Sequence, residues 1–370
     1  MTGPRYTPLV DSLPATVPFV GPEVQERAMG REFVARIGAN ENVFGPSPKA
    51  IEAMQTADSD TWMYADPTNF DLRNGLAEHL GITPENIVVG EGIDGLLGYL
   101  VRMLIAPGDA VVTSMGAYPT FNFHVSGFGG TLHTVPYNGD HEDPAALFAK
   151  AKEVDAKLVY LSNPDNPMGT WHDGTALEKA LDDLPDGALF ILDEAYIEFA
   201  PENAQAKIDI NDPRVIRFRT FSKAYGMAGA RVGYGLGHPD LITAFNKIRN
   251  HFGMNRSAQH GALEALQDQD WLQGTVAKVA QARERIAGIA ADNGLTTLPS
   301  ATNFVAMDCG QDGAFAGRVL SNLVAAGIFV RMPFVAPQNR CIRVGCGTDA
   351  DLDAFTAALP AALAKAASVD

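Results

Sequence analysis

Residues 220–234 read TFSKAYGMAGARVGY and carry a lysine and an arginine eight positions apart among small residues. The lysine, Lys223, directly follows a β-like run at residues 214–220, and the glycines of the stretch allow tight turns and close backbone approach. A lysine among small and apolar neighbours loses its proton more easily than one in water, and a neutral amine forms a Schiff base with an aldehyde. Arg231 offers a planar guanidinium suited to a phosphate. An aldehyde that carries a phosphate describes pyridoxal 5′-phosphate (PLP), although an ordinary surface lysine and a salt-bridged arginine remain the alternative for this stretch alone.

The composition is that of a globular protein with room for two domains. The chain has 370 residues, of which 46% are hydrophobic and 19% charged. Its formal net charge of −16 argues against a nucleic acid or an acidic membrane as a partner, so local arginines and backbone amides must hold any anionic ligand. The sequence contains no apolar run of about eighteen residues, and its start lacks a signal-peptide pattern. We therefore predict a cytoplasmic protein without a transmembrane helix.

The three cysteines do not predict a metal site. Cys309, Cys341 and Cys346 lack metal-type spacing with histidines, so we expect no metal. Cys341 and Cys346 are close enough in sequence to meet across a turn, but an odd count in an unexported chain predicts reduced thiols.

Short apolar runs alternate with helical patterns from residue 86 onward, which is typical of a parallel sheet covered by helices on both faces. The predicted strands are residues 86–90, 110–114, 131–135, 157–162, 188–196, 214–220 and 232–236. This pattern predicts a doubly wound, mainly parallel α/β domain at residues 45–245. A long helical region at 241–293, three further strands and two helices predict a smaller α+β domain at 246–370. We expect the proline-rich residues 1–44 to form an arm that packs on the small domain or on a partner subunit.

Several polar residues stand at predicted strand ends, where open α/β sheets bind their ligands. Asp193 closes a buried strand and needs a cationic partner, which a pyridinium nitrogen would supply; a helix cap or a structural salt bridge is the alternative. Tyr196, three residues later, is positioned to donate to a ring oxygen, unless it is a core tyrosine. Asn166 lies in SNPDNPMGT, a turn that is either purely structural or aims an amide at the same oxygen.

Two further stretches carry candidate cofactor contacts. The glycine-rich residues 90–95, GEGIDG, join a strand to a helix, where the amides of Ile93 and Asp94 are available to a phosphate. This turn is weak by itself and is not the dinucleotide-binding fingerprint. Tyr118 follows a strand and is either a stacking platform for a planar cofactor or a core residue. Tyr64 lies on a loop outside the sheet pattern, where a surface tyrosine is the alternative.

Two arginines near the end of the chain are candidate anion ligands. Arg343 interrupts the apolar strand CIRVG, and Arg331 ends the run IFVR. An arginine in such a run is rarely buried without a partner. A substrate carboxylate or phosphate would suit either arginine through bidentate pairing, and a structural ion pair is the alternative.

Taken together, the chain resembles the fold-type I PLP enzymes, and most of all the histidinol-phosphate aminotransferase group of class I/II aminotransferases. The resemblance extends from residue 40 to residue 349. It rests on seven motifs in order: YADP, GEGIDG, GAYP, NPDNPMG, DEAYIEF, TFSKAYGMAGARVGY and IRVGCGT.

The resemblance implies a role for each candidate at the cofactor ring. Lys223 would form the Schiff base with PLP and then move the proton during the reaction. Asp193 would pair with the pyridine nitrogen. Asn166 and Tyr196 would hold the ring oxygen, and Tyr118 would stack on the ring.

The resemblance also implies how phosphate and substrate are bound. Ile93, Asp94, Ser222 and Arg231 would hold the cofactor phosphate, and Tyr64 would reach it from the neighbouring subunit of a homodimer. Substrate binding would use Arg343, Arg331 and Asn166. The substrates would be an amino donor, with L-histidinol phosphate as the first choice, and a 2-oxo acid, 2-oxoglutarate, in a ping-pong reaction.

Three departures from the family pattern bear on these expectations. The phosphate turn reads Ile93-Asp94-Gly95 where a small or hydroxyl residue followed by Asp-Glu is usual, and Met168 stands where threonine is common. Residues 332–340, MPFVAPQNR, do not match the expected loop and leave the substrate open.

Other functions of the same residues remain open at this point. An aromatic or broad-range aminotransferase, or a PLP-dependent decarboxylase or lyase, would share the cofactor motifs. A nucleotide-binding oxidoreductase or a non-catalytic binding protein would share only the doubly wound sheet.

Overall fold

A computed structural model describes residues 3–15 and 20–368 of the chain. The helices are α1 (Pro8–Ser12), α2 (Pro22–Met29), α3 (Pro48–Asp58), α4 (Phe70–Leu80), α5 (Gly92–Leu104), α6 (Pro119–Gly127), α7 (Pro144–Val154), α8 (Gly174–Ala180), α9 (Pro239–Ala244), α10 (Arg256–Gln267), α11 (Gln269–Asp292), α12 (Gly313–Ala325) and α13 (Asp349–Ala367). The strands are β1 (Ala35–Arg36), β2 (Ile87–Gly90), β3 (Ala110–Ser114), β4 (Thr131–Val135), β5 (Leu158–Ser162), β6 (Leu189–Asp193), β7 (Val215–Thr220), β8 (Gly233–Gly237), β9 (Thr296–Thr297), β10 (Phe304–Asp308), β11 (Ile328–Phe329) and β12 (Cys341–Gly345).

The central sheet has seven strands in the order β2-β8-β7-β6-β5-β3-β4. Strands β3 to β7 pair in parallel, while β8 is antiparallel to both of its neighbours. The buried residues form one cluster with α5 and α6 and another with α7 and α8, so helices cover both faces of the sheet. The predicted doubly wound, mainly parallel fold is therefore confirmed.

Smaller sheets lie in the C-terminal part of the chain. Strands β12, β10 and β9 form an antiparallel sheet, and the two-residue strands β1 and β11 pair in parallel. The pairing of β1 with β11 shows that the N-terminal arm packs on this part of the chain. The domain boundaries at residues 44 and 245 remain predictions. Residues 1–2 and 16–19 of the predicted arm, and residues 369–370 at the C-terminus, lie outside the described part.

Three local predictions were wrong or incomplete. Helix α6 was not predicted, because its apolar residues Phe121, Phe123 and Val125 alternate with polar ones and give no one-sided helical pattern. The helical region at 241–293 is three helices, interrupted by non-helical residues at 248–255. One of the three further strands was expected at IFVRMP, residues 328–333, but only Ile328–Phe329 belongs to a sheet, and Arg331 forms an isolated bridge.

No helix within residues 3–15 and 20–368 is long and apolar enough to cross a membrane. In the same residues, no group of three or more histidine, cysteine or acidic side chains is arranged to hold a metal ion. Cys309, Cys341 and Cys346 are free and buried, so Cys341 and Cys346 do not pair across the turn.

Candidate active site

A cavity of about 420 Å³ lies at the carboxyl ends of the parallel strands. The chain segments that follow β3, β5, β6 and β7 all contribute to its walls, as the topology of an open α/β sheet requires. The sequence-predicted residues that line it are Ile93, Asp94, Tyr118, Asn166, Asp193, Tyr196, Ser222, Lys223, Arg231, Arg331 and Arg343. The fold therefore brings together residues separated by up to 250 positions in sequence.

Lys223 lies in a tight turn just after β7, with its amine inside the cavity. Gly226 closes this turn at φ 69°, and a Cβ there would come within 2.4 Å of the backbone of Gly45. The Lys223 amine donates a hydrogen bond of 3.0 Å to the backbone carbonyl of Asn40. Burial, with a smaller contribution from the positive charge of Arg343, lowers the pKa of Lys223 to about 8. The amine is therefore closer to its neutral, nucleophilic form than an exposed lysine at neutral pH.

Asp193 ends β6 at the floor of the cavity. Its carboxylate accepts a hydrogen bond of 2.6 Å from the Tyr160 hydroxyl and one of 2.9 Å from the backbone amide of Ala195. Burial raises the pKa of Asp193 to about 6, and these two donors oppose that shift. The carboxylate is ionised at neutral pH and lacks a directly bonded cationic side chain among the described residues, so a cationic ligand atom would stabilise it.

The N-terminus of α5 forms an anion cradle with Arg231. Gly92 has φ 80°, and a Cβ at this position would come within 2.5 Å of the Arg231 guanidinium. Gly233 of β8 also lacks room for a side chain, since its Cβ would lie 2.6 Å from the backbone of Gly92. Arg231 donates to the Ser222 hydroxyl at 3.4 Å. Free amides at a helix N-terminus beside a guanidinium are suited to a phosphate.

A histidine accompanies the aspartate of this cradle. Asp94 lines the cavity, and its Oδ1 lies 2.8 Å from Nε2 of His124 on α6. A protonated imidazole there would offset the repulsion between this carboxylate and a bound phosphate. The sequence patterns did not reveal the pair, because α6 itself was not predicted.

The two substrate-arginine candidates lie side by side, joined by backbone hydrogen bonds between Arg331 and Arg343. Arg343 donates to Oδ1 of Asn166 at 2.6 Å, while its buried Nε has no partner in the described structure. Burial, and the like charge of Arg331, lower the pKa of Arg343 to about 10. Arg331 donates to the backbone carbonyl of Val20 at 2.8 Å. This pair of cations, without a carboxylate within ion-pair distance among the described residues, would be stabilised by an anion.

The two remaining tyrosine candidates differ in position. Burial raises the pKa of Tyr118 to about 12, so its hydroxyl stays protonated in the cavity wall. Tyr64, by contrast, does not line the cavity. Its side chain is 81% exposed and contacts the ring of Phe252 in a tilted arrangement, at a centroid distance of 4.9 Å.

Asn40 and Tyr160 line the cavity and were not singled out from the sequence. Asn40 bonds to Lys223 through its carbonyl, and Tyr160 bonds to Asp193. Phe334, in the unmatched segment 332–340, also lines the cavity, with 77% of its surface exposed. Tyr160 carried a usable signal, since it is a polar-tipped residue in a buried strand beside the strand of Asp193. Asn40 lies in the irregular N-terminal segment, where no periodic pattern exists.

A pair of buried acids supports the turn that carries Asn166. Asp165 accepts hydrogen bonds from the Tyr137 hydroxyl at 2.9 Å and the Met168 amide at 3.0 Å. Glu142 accepts from the amide and the hydroxyl of Ser162, and its Oε2 is buried without a donor. Burial and mutual repulsion raise the pKa of Glu142, and burial raises that of Asp165. One proton shared by the two carboxyls would satisfy the unpaired oxygen.

Residues 34–359 match the family described as Aminotransferase class I and II. The chain belongs to the class I and II aminotransferases. A histidinol-phosphate aminotransferase 1 of Nitrosococcus oceani is 36% identical over 347 residues and matches across 92% of each chain. A histidinol-phosphate aminotransferase of Moorella thermoacetica is 32% identical over 98% of this chain and 94% of its own.

Solved structures of aminotransferases have the same fold. The crystal structure of histidinol-phosphate aminotransferase from Sinorhizobium meliloti in complex with pyridoxal 5′-phosphate superposes with a TM-score of 0.95, at 53% identity over 98% of this chain and 99% of that chain. The aspartate aminotransferase from Thermus thermophilus with maleate has a TM-score of 0.78 at 21% identity, over 97% of this chain and 100% of that chain. The second likeness shows the fold alone.

Proposed function

We propose that this aminotransferase uses pyridoxal 5′-phosphate to transfer the amino group of L-histidinol phosphate to 2-oxoglutarate in a ping-pong reaction. The observation that carries the proposal is the placement of Lys223, Asp193 and the Arg231 cradle around one cavity. Few ligands need an amine, a carboxylate and a phosphate site at once, and PLP needs all three.

The residues present fit this cofactor. Arg231, Ser222 and the free amides of Ile93 and Asp94 would hold its phosphate, since each is an unshared donor or a cation beside the N-terminus of α5. The buried Asp193 would balance the charge of the pyridine nitrogen. Because these groups belong to rigid strand ends and a helix terminus, little reorganisation is needed on binding.

The cofactor's ring oxygen and ring face would meet three further side chains. Asn166 and Tyr196 would hold the ring oxygen, and Tyr118 would stack on the ring. Asn166 already accepts from Arg343 through Oδ1, so its amide nitrogen is available as a donor.

Lys223 would be both the attachment point of the cofactor and the carrier of the transferred proton. When bound, PLP supplies an aldehyde that condenses with amines and a ring that withdraws electrons from the substrate carbon. The Lys223 amine, with its pKa near 8, can take a proton at Nζ and release it again at neutral pH. Its protonated form donates to the carbonyl of Asn40, which holds the amine at the cavity wall.

The substrate assignment rests on the two arginines and on the relatives. Arg343 and Arg331 carry unneutralised positive charge that a phosphate would pair with in bidentate geometry. In the second half reaction, the α-carboxylate of 2-oxoglutarate would take the same place. The histidinol-phosphate aminotransferases of Nitrosococcus oceani and Moorella thermoacetica, which match over most of their length, are named for this activity.

We also propose that the chain forms a homodimer in which residues of both subunits contribute to each active site. The rings of Tyr64 and Phe252 are in contact at the surface and are 81% and 53% exposed. Trp62 and Phe70, near Tyr64 in sequence, are 81% and 64% exposed. Exposed aromatic side chains in such number are unusual unless a partner covers them. Tyr64 would then reach the cofactor phosphate of the neighbouring subunit.

A donor screen tests the function. The purified protein, supplied with PLP, should show a visible absorption band and convert 2-oxoglutarate to glutamate with histidinol phosphate as donor. Phe334, Met332 and Pro333 make the mouth of the cavity apolar, so phenylalanine is the control donor. A clear preference for phenylalanine, without turnover of histidinol phosphate, would show that an aromatic amino acid and not histidinol phosphate is the amino donor. Carbon dioxide release without amino transfer would indicate a decarboxylase, and absence of the visible band would refute the cofactor.

A further inference from the structure

Asn40 joins three parts of the cavity wall. Its backbone is left-handed, with φ 57°, and the residue is only 5% exposed. Its amide nitrogen donates a hydrogen bond of 3.0 Å to the hydroxyl of Tyr196. Its carbonyl accepts from the amine of Lys223 at 3.0 Å and from the amide of Asn303 at 3.1 Å. Through its side chain and its backbone carbonyl, Asn40 thus contacts Tyr196 and Lys223, both of which would act on the cofactor.

The direction of the hydrogen bond to Tyr196 determines where the phenolic proton is available. A tyrosine hydroxyl has one proton, and it accepts and donates at the same time. Because Asn40 donates to the hydroxyl oxygen of Tyr196, the Tyr196 proton does not form a hydrogen bond to Asn40. Within residues 3–15 and 20–368, this hydroxyl makes no second hydrogen bond, and Tyr196 lines the cavity. The proton is therefore free to bond to a ligand in the cavity.

Burial keeps this proton on the Tyr196 hydroxyl. Burial raises the pKa of the hydroxyl, while the positive charge of Arg343 opposes that shift. Lys223 also faces the ring, with its amine 5.5 Å from the centroid, and the Asp193 carboxylate raises the pKa further. The hydroxyl remains a donor at neutral pH.

We propose that Asn40 is a positioning residue that keeps the proton of Tyr196 directed into the cavity, toward the ring oxygen of pyridoxal 5′-phosphate. This inference rests on the proposed function, since the ring oxygen belongs to the cofactor assigned there. Asn40 does not touch the reacting atoms. It acts through Tyr196, and its carbonyl separately holds the Lys223 amine.

The left-handed backbone suggests two variants that separate these contributions. Glycine adopts a positive φ without strain, so Asn40→Gly keeps the carbonyl for Lys223 and removes only the amide. Aspartate has nearly the same shape as asparagine but, when ionised, only accepts hydrogen bonds. In Asn40→Asp, the Tyr196 hydroxyl would donate to the new carboxylate, and its proton would turn away from the cavity.

The two variants should therefore rank in a specific order. Loss of one hydrogen bond weakens binding by a factor of about 2 to 10, so we expect PLP to bind about 3-fold more weakly to Asn40→Gly and about 10-fold more weakly to Asn40→Asp. Without a donor, the anionic ring oxygen is less stable, and the pH at which the visible band changes should rise in the same order. Equilibrium dialysis of PLP and a spectrophotometric pH titration measure the two effects without any turnover. A purely structural asparagine predicts the reverse order, because aspartate fills the same space and glycine leaves a void.

The Tyr196→Phe background provides the control. A carboxylate at position 40 that acts only by its charge would shift the pH at which the visible band changes by the same amount with or without the Tyr196 hydroxyl. The proposal predicts that Asn40→Asp has little further effect on Tyr196→Phe, with the melting temperatures showing that all variants fold. Equal effects in both backgrounds, or a larger loss in Asn40→Gly than in Asn40→Asp, would overturn the role of Asn40. Failure of the wild-type protein to bind PLP would instead overturn the proposed function.

Discussion

Nη1 of Arg343 donates a hydrogen bond of 2.6 Å to Oδ1 of Asn166, across 177 residues of sequence. The bond joins strand β12 to the turn that follows β5, and therefore links the proposed substrate-anion site to the proposed cofactor site. It orients the amide of Asn166 so that its nitrogen is left to donate. The buried Nε of Arg343 has no partner in the described structure and is available to an anion.

Replacement of Arg343 should weaken both half reactions. If the substrate phosphate and the carboxylate of glutamate share this site, Arg343→Ala loses a charge-assisted pair with each, on the order of 1.5–3 kcal/mol or about 10- to 150-fold in kcat/KM. Steady-state kinetics with each substrate varied in turn gives the two values. Arg343→Lys retains the charge but not the planar fork, and should recover part of the loss.

Arg331 is the comparison within the same site. Its guanidinium bonds to the carbonyl of Val20 and not to Asn166. Because Arg331 would be a second contact to the substrate phosphate, Arg331→Ala should impair the reaction of the phosphorylated donor more than that of 2-oxoglutarate. Loss of only one half reaction in Arg343→Ala would show that phosphate and carboxylate use different sites.

The amine of Lys223 should titrate far below an ordinary lysine. Burial lowers its pKa to about 8, so in the PLP-free protein the amine is protonated and unreactive below that pH and becomes nucleophilic above it. Acetylation rates of the Lys223 peptide, measured by mass spectrometry against pH, should reach half of their maximum near pH 8. Unfolded protein is the control, with a midpoint near the ordinary value of about 10.4. An equally high midpoint in the folded protein would contradict the burial argument, and added PLP should protect the amine.

Asp193→Asn should leave the fold intact and slow the chemical step. An amide cannot balance a positively charged ring nitrogen, so single-turnover rates should fall on the order of 100-fold or more. Tyr160→Phe is the matched control, because it removes the 2.6 Å hydrogen bond to the carboxylate but keeps the negative charge. Its loss should be only about 2- to 10-fold. If the two variants are equally slow, the hydrogen bond and not the charge is what matters at this position.

The sequence predicts most of the sheet and the cavity because both depend on local patterns. Continuous apolar runs locate the strands β2 to β8 within a residue or two at most ends, although β6 ends three residues before the predicted limit at 196. In a parallel sheet, the carboxyl ends of the strands meet at one edge, so Asp193, Asn166 and Lys223 could be expected to lie together.

The features that were missed depend on tertiary contacts. Asn40 enters the cavity because β1 pairs with β11, and nothing periodic in residues 1–44 indicates that pairing. His124 reaches Asp94 only because α6 packs on α5, and the apolar residues of α6 alternate with polar ones, so the sequence shows no helical stripe. The oligomeric role of Tyr64 depends on a second chain, so it stays a prediction.

A mixed dimer of two inactive variants should recover activity only when an active site takes the two substituted residues from different subunits. Lys223→Ala removes a residue of a chain's own cavity, whereas Tyr64 is outside that cavity and 81% exposed. In a hybrid of Lys223→Ala with Tyr64→Phe, one site regains both groups, so activity should exceed that of either parent. Refolding the two variants together, followed by an amino transfer assay, measures this.

The matched control for complementation is a hybrid of Lys223→Ala with Asp193→Asn. Both residues line the cavity of the same chain, so each site of this hybrid retains one defect and activity should stay low. Equal recovery in both mixtures would point to exchange back to homodimers or to a site within one subunit. A fully active monomer would refute the shared site directly.

The last prediction concerns the buried acids beneath the Asn166 turn. The pKa of Glu142 is raised by burial and by the nearby Asp165, so the folded protein retains a proton that the unfolded chain loses near its ordinary value of about 4.3. A raised folded-state pKa stabilises the protein at low pH, and this stabilisation is lost as the pH rises through the folded-state value. Glutamine keeps the acceptor for Ser162, cannot ionise and can donate to Asp165. The difference in melting temperature between Glu142→Gln and wild type should therefore shift in favour of the variant as the pH rises from about 5 to 9.

Glu153→Gln, at an exposed position in helix α7, controls for the loss of a negative charge. A difference between Glu142→Gln and wild type that stays constant over this range would show that the buried pair does not share a titrating proton.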